Sequence, residues 1–319
     1  MEKLTPNRIL YLDYARTIAL FLVVFAHLYS VDSNVRLYIY AFHMPFFFLV
    51  SGMLHKEAES LSLIKKMSKR MLIPFCFFLI CGYLYFVISS RSFAKGILLE
   101  SIKGVLFGKS IKANDILWFL LVMFNVRIIG NSIISKPLLL FPIFIIVFIV
   151  TFEFHINFFY IGTTFMALPF YLLGNYTKGN IFNYVQWKFS PIMAILLLLI
   201  SVIITNLNGR VSMAGFVYGH ATSPILSIAF FYINGILGSL ALICLGRLII
   251  KEQPLLSLPA KCAISIVGLQ FIPLTIWHKL VGLNQNFILC GAFSVLIMLG
   301  CICFHLFAEK KANWILGGK

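Results

Sequence analysis

Charge is what this chain has least of. Among 319 residues, 26 are Lys or Arg and only 10 are Asp or Glu, so 11% carry charge. Soluble domains carry about 25%. With 61% hydrophobic residues and a mean hydropathy of +0.98, a soluble globular protein is excluded. Alternating ten-residue segments, the mark of a transmembrane β-barrel, are also missing. The seven cysteines (Cys76, Cys81, Cys244, Cys262, Cys290, Cys301, Cys303) make no CxxC pair and no metal-ligand spacing. They read as small apolar residues, which excludes a disulfide framework and a metal site. The first apolar run has no small-residue cleavage site, so no cleavable signal peptide is expected. No soluble domain, long linker, low-complexity tract or internal repeat stands out, and residues 1–319 read as one transmembrane domain.

What the chain has in quantity is apolar runs. Ten are long enough to cross a bilayer as helices: 9–30, 36–54, 71–90, 116–134, 137–153, 158–174, 190–206, 222–246, 262–281 and 287–307. The expected fold is all-α and polytopic, with about ten transmembrane helices. In the 222–246 run, Gly235 and Gly238 suit a close helix crossing. The net charge of +16 brings nucleic acid to mind. In a membrane chain, however, lysines and arginines orient loops and meet anionic lipid, so no nucleic-acid partner is expected. With the N-terminus in the cytoplasm, sixteen basic residues fall inside and eight outside, leaving Arg16 and Arg127 within spans. That bias places both termini in the cytoplasm. Five of the outer charges lie in 91–112, where apolar residues recur near helical spacing. This segment reads as an amphipathic helix on the outer face or as an ordinary basic loop.

The first run holds the anomaly: Asp13, Arg16 and His27 in an otherwise greasy span. Ionisable groups inside a bilayer are costly and normally face protein or water. Arg16 and His27 are eleven residues apart, almost three turns, so they share one face about 16 Å apart. Arg16 lies toward the cytoplasmic end and suits phosphate or carboxylate; an ion pair with Asp13 at i, i+3 is the structural alternative. His27, toward the outer end, suits a general base. His43, in the next span beside Pro45, lies at similar depth. It is either a second functional group or a support for the proline kink. Asp115, Trp118 and His220 fall on the outer, acceptor side, and Trp118 also fits an aromatic interface belt. Lys65, Lys66, Lys69 and Arg70 form an inner basic cluster, either an orientation anchor or a binding face for a phosphorylated ligand. His55, His155, His278 and His305 read as interfacial or packing residues.

Several of these motifs together resemble acyltransferase family 3, and most nearly its fucose 4-O-acetylase-like branch. They are the Arg16-x10-His27 spacing, FHMPFFFLVSG at 42–52, the Lys65–Arg70 cluster followed by Leu72-Ile73-Pro74, and DILWFL at 115–120. Weaker likenesses are Tyr218-Gly219-His220 and FYINGILGSLALI at 231–243. One departure stands out: Gln270, in SIVGLQF, occupies the place of a histidine common in relatives. The resemblance implies acyl transfer, usually of acetyl from acetyl-CoA, to a hydroxyl of a surface polysaccharide or its lipid-linked precursor in the bacterial inner membrane. On that reading His27, His43 and Asp13 are catalytic, and Arg16, Lys69 and Arg70 bind the donor. The expected partners are acyl-CoA, the glycan and the bilayer, with a homo-oligomer left open. Two other classes compete. A secondary transporter or flippase would use the intramembrane Arg and His as relay or gating groups, but no paired halves are visible. A non-catalytic assembly partner in a glycan-synthesis complex would not need His27.

Overall fold

The computed structural model describes residues 9–29, 33–90, 95–178, 190–249, 253–282 and 286–318. Those residues form helices and no strand, with an isolated bridge between Ser212 and Val217. In hydrocarbon every backbone N–H and C=O must be satisfied within the segment, which long apolar runs achieve only as helix. The helices are α1 (Leu10–Leu28), α2 (Asn34–Met53), α3 (Ser60–Met67), α4 (Ile73–Ser90), α5 (Lys95–Phe107), α6 (Trp118–Ser135), α7 (Pro137–Glu153) and α8 (Ile161–Thr177). They continue as α9 (Ser190–Asn208), α10 (Pro224–Arg247), α11 (Pro254–Lys261), α12 (Ala263–Leu269), α13 (Phe271–Leu280) and α14 (Phe287–Lys311).

All ten apolar runs are helical, and eight segments among the described residues are long and apolar enough to cross a membrane. The chain is an all-α polytopic membrane protein. α7 and α8, with 17 residues each, reach about 26 Å and sit at the short end for a span. Two runs differ from a simple rod. The 262–281 run breaks at Gln270 between α12 and α13. Pro273 has no amide hydrogen, so the carbonyl of Leu269 loses its helical partner there. The basic cluster is not a loop: α3 passes through a π-turn at Ser68–Leu72 straight into α4. The 91–112 segment contains helix α5, with Leu98, Leu99 and Ile102 exposed; residues 91–94 lie outside the described set. So do Lys3, Arg8, Lys188, Lys251 and Lys319 of the charge count.

α2 is central, packed between α8 and α10, and α1 packs on α2, α10, α11 and α14. α7 and α9 are peripheral and turn apolar rows outward, such as Ile145, Ile146 and Ile149 and Leu196, Leu199 and Ile203. Small residues set the close crossings. A Cβ on Gly238 would run into the Phe42 side chain, and one on Gly235 into Phe170 and Pro45, so the glycine pair does mark a crossing of α10 with α2. Gly52 and Gly174 are reciprocal: a Cβ on Gly52 would strike the Tyr171 carbonyl, and one on Gly174 the Leu49 carbonyl. Backbone cannot step aside as a flexible side chain can. Gly52→Ala and Gly174→Ala are therefore each expected to cost about 1–3 kcal/mol, read as a lower midpoint of thermal unfolding in detergent. Gly96→Ala, with nothing within 4 Å, is the control and should leave the midpoint in place.

Candidate active site

Two stripes at i, i+4, i+7, i+11 build the site: Arg16, Leu20, Val23 and His27 on α1, and Arg36, Tyr40, His43 and Phe47 on α2. Such spacing puts each set on one helical face, and both faces turn to internal cavities. At the C-terminal end of α1 lies a chamber of about 260 Å³ lined by His27, His43, Tyr40, Arg36, Asp115, Trp118, Arg210 and Gln270, among others. Tyr40 stands edge-on to both histidines, with ring centroids 6.1 Å from His27 and 5.0 Å from His43. Its hydroxyl is 3.4 Å from His27 Nδ1 and accepts from Arg36 Nη2 at 3.2 Å. With Nδ1 turned to Tyr40, Nε2 is the nitrogen of His27 left for proton transfer. The His27 carbonyl accepts from His278 Nε2 at 2.9 Å, which ties the end of α1 to α13. His43 donates from Nδ1 to the Ile39 carbonyl at 2.8 Å. Its neutral ring then carries an acceptor at Nε2. Pro45 deprives the Ala41 carbonyl of its helical partner, and His43 bonds Ile39 rather than that carbonyl.

At the other end of the same faces lies a chamber of about 490 Å³, within the usual range for ligand sites. Arg16, Arg70, Arg127 and Lys261 line it, and among the described residues no Asp or Glu does. His305 is also in this wall, bonded through Nδ1 to the Ser265 hydroxyl at 2.8 Å. Arg16 Nη1 holds Asp13 Oδ1 at 3.2 Å. Arg127 donates from Nη1 to the Ser51 hydroxyl at 3.0 Å, while its Nε is buried without a partner. Asn313, Leu316, Gly317 and Gly318 of the C-terminal segment complete the lining. A cationic, acid-free cavity is suited to a polyanion.

The two chambers share four wall residues: Leu20, Phe47, Phe119 and Val267. Arg16 and His27 thus line different chambers, which meet at these four apolar residues.

Sequence-derived candidates fall out as follows. His27, His43, Asp115 and Trp118 come together in the histidine chamber, and Arg16 and Arg70 in the arginine chamber. Asp115 also accepts the Ile111 amide through Oδ1 at 3.0 Å, fixing the turn before α6. Asp13, buried at 7% exposure, lines neither chamber. It is fourteen residues from His27, about 21 Å of helix, and it accepts a hydrogen bond from Arg16. Lys69 parts company with Arg70, because successive helical residues project about 100° apart. Lys69 lines an apolar groove with Cys76, Ile80 and Trp314. His220 is exposed and lies off both chambers. Sequence reasoning missed Arg127, Lys261, His305, Tyr40, Arg36 and Arg210 as wall residues. Arg127 carried the same signal as Arg16, a cation inside an apolar span. The others depend on which way a helix face or loop turns. Outside the spans, His55 meets the Tyr171 hydroxyl at 2.6 Å, and burial, aided by Arg127 and Lys178, lowers its pKa.

Neither a curated protein nor a solved structure matches this chain. The sequence model of the acyltransferase domain of acyltransferase family 3 matches residues 9–306, which takes in both stripes and all of the two chambers' walls except the C-terminal segment from Asn313. The chain belongs to that family, and it is a membrane-bound acyltransferase.

Proposed function

We propose that the protein transfers an acetyl group from cytoplasmic acetyl-CoA to a hydroxyl of a surface polysaccharide or its lipid-linked precursor, in the bacterial inner membrane. The fucose 4-O-acetylase-like branch is the nearest fit by motif. The observation that carries this reading is the pair of chambers meeting at one apolar layer: a cationic cavity at one end, a histidine cavity at the other. The excess of basic residues on the side of the N-terminus supports reading the arginine chamber as the cytoplasmic one. Arg16, Arg70 and Arg127 would hold the coenzyme's phosphates. The thioester would reach past Leu20 and Phe119 to the histidine chamber.

There His27 Nε2 removes the proton of the sugar hydroxyl as its oxygen attacks the thioester carbonyl. The tetrahedral intermediate collapses with cleavage of the C–S bond, and the departing thiolate takes the proton back from His27 Nε2, so the coenzyme leaves as the free thiol and the base is restored. Tyr40 orients the His27 ring through Nδ1. Arg36, which donates to Tyr40, supplies positive charge near the developing oxyanion. Direct transfer suits the site better than an acyl-histidine relay. The second histidine, His43, is held by Ile39 and stands across Tyr40 from His27.

The test is mass spectrometry of surface glycan from cells with and without the gene. The expected result is one acetyl group, 42 Da (~) per modified unit by simple composition, present only with the gene. Identical glycans, together with substrate flux in proteoliposomes lacking acyl-CoA, would replace this reading with transport.

A further inference from the structure

Gln270 is a buried amide with nothing to bond to. It is fully buried at 0% exposure. Both its Oε1 and its Nε2 lack a hydrogen-bond partner. Burying an amide in this way is costly, and such groups are ordinarily satisfied. Its position is equally specific. It lines the histidine chamber, one turn beyond Val267 of the apolar layer, at the break between α12 and α13. The backbone does not account for the residue: Gln270 N–H bonds the Ile266 carbonyl and its carbonyl receives Leu274 N–H, as any residue there would do. The side chain alone is left over.

We propose that Gln270 is an acceptor-positioning residue, which grips two adjacent hydroxyls of the sugar and so presents a neighbouring hydroxyl to His27. This rests on the acyl-transfer reading above and goes beyond it by naming the acceptor's recognition chemistry. A carboxamide offers one acceptor and one donor side by side. A vicinal diol offers the same pair in reverse, one O–H donating to Oε1 and one oxygen accepting from Nε2. A carboxylate or phosphate could use only the Nε2 donor and would leave Oε1 orphaned. The orphan pair therefore selects a neutral polyhydroxyl unit at this wall. The chamber's other wall, with Arg36 and Arg210, is where any charge on the acceptor would be met.

The experiment uses the full-length protein in detergent with saturating acetyl-CoA. The acceptors are a panel of methyl glycosides of galactose, fucose, mannose and glucose and their monodeoxy analogues, alongside de-O-acetylated surface glycan of the source cells. The variants are Gln270→Met, which keeps length and volume without hydrogen bonds, and Gln270→Asn, which keeps the amide but withdraws it by one methylene. Gln270→Met is expected to raise the acceptor KM about tenfold to a hundredfold. The acetyl-CoA KM should not change. It should also lose the wild type's discrimination between diol and deoxy acceptors. Its thermal midpoint should stay level or rise, since an unsatisfied buried amide has been removed. Gln270→Asn should fall between. A wild-type acceptor KM and unchanged discrimination in Gln270→Met would overturn the proposal. So would a lowered midpoint with unchanged kinetics, which would make the amide structural. If the wild type acetylates no glycan at all, the acyl-transfer reading itself fails and this inference falls with it.

Discussion

His27→Ala is expected to lower kcat for acetyl transfer by about 10²- to 10⁴-fold, the range for loss of a general base, while the KM for acetyl-CoA stays near wild type. The split follows from the compartments. His27 lines only the histidine chamber, and the cationic cavity lies beyond Leu20 and Phe47. Removing the imidazole therefore touches the hydroxyl's proton and not the donor's phosphates. Initial rates on purified protein, with folding checked by thermal unfolding, measure this. Tyr40→Phe is the graded companion. It removes the hydroxyl 3.4 Å from His27 Nδ1 and leaves the base in place, so a smaller loss in kcat is expected. Wild-type turnover in a folded His27→Ala protein would remove His27 from the chemistry.

Arg16→Gln combined with Arg127→Gln is expected to cut kcat/KM for acetyl-CoA by about a hundredfold or more. A hydrogen bond to a charged group contributes about 1.5–3 kcal/mol, and two are withdrawn. Their effects need not add if both guanidiniums hold one phosphate. The loss should sit in KM and should shrink as salt rises, because screening already weakens these contacts in the wild type. Arg16→Gln also removes the cation at 3.2 Å from the buried Asp13 carboxylate. Part of its effect is then on folding, and Asp13→Asn with Arg16→Gln separates the two. If Asp13 serves Arg16 alone, Asp13→Asn by itself leaves kcat largely intact. Full acetyl-CoA affinity in a folded Arg16→Gln, Arg127→Gln protein would dismiss the arginine chamber as the donor site.

Much of the fold was legible because hydrocarbon leaves the backbone few options. Apolar length alone located all ten helical runs, and the α1 stripe followed from helical periodicity, which needs no tertiary information. What could not be read were relations between elements. Lys69 and Arg70 are neighbours in sequence and serve different cavities because a helix separates adjacent side chains in angle. Asp13 is the exception: its distance from His27 along α1 was already legible from helical rise. His220 and Arg210 were both placed on the acceptor side by topology. Only Arg210 reaches the chamber, a matter of how the 209–223 loop folds back. The break at Gln270 was written in Pro273, three residues on. The orphaned amide it carries became visible only once every neighbour of that side chain was known.

The apolar layer of Leu20, Phe47, Phe119 and Val267 also has an electrical consequence. An apolar layer between two cavities lined by charged side chains would concentrate the transmembrane voltage across itself. Each elementary charge driven through it is worked on by about 2.3 kcal/mol per 100 mV. On the acetyl-CoA reading proposed above, a coenzyme anchored at Arg16 and Arg127 would keep its phosphates out of that field and send across only the neutral thioester end of its arm. The proton that His27 takes from the hydroxyl would pass to the departing thiolate in the same chamber, and the arm would withdraw as a neutral thiol. Turnover on that reading would thus be electrically light, with no net charge carried through the layer, where carrying the whole coenzyme across would move several.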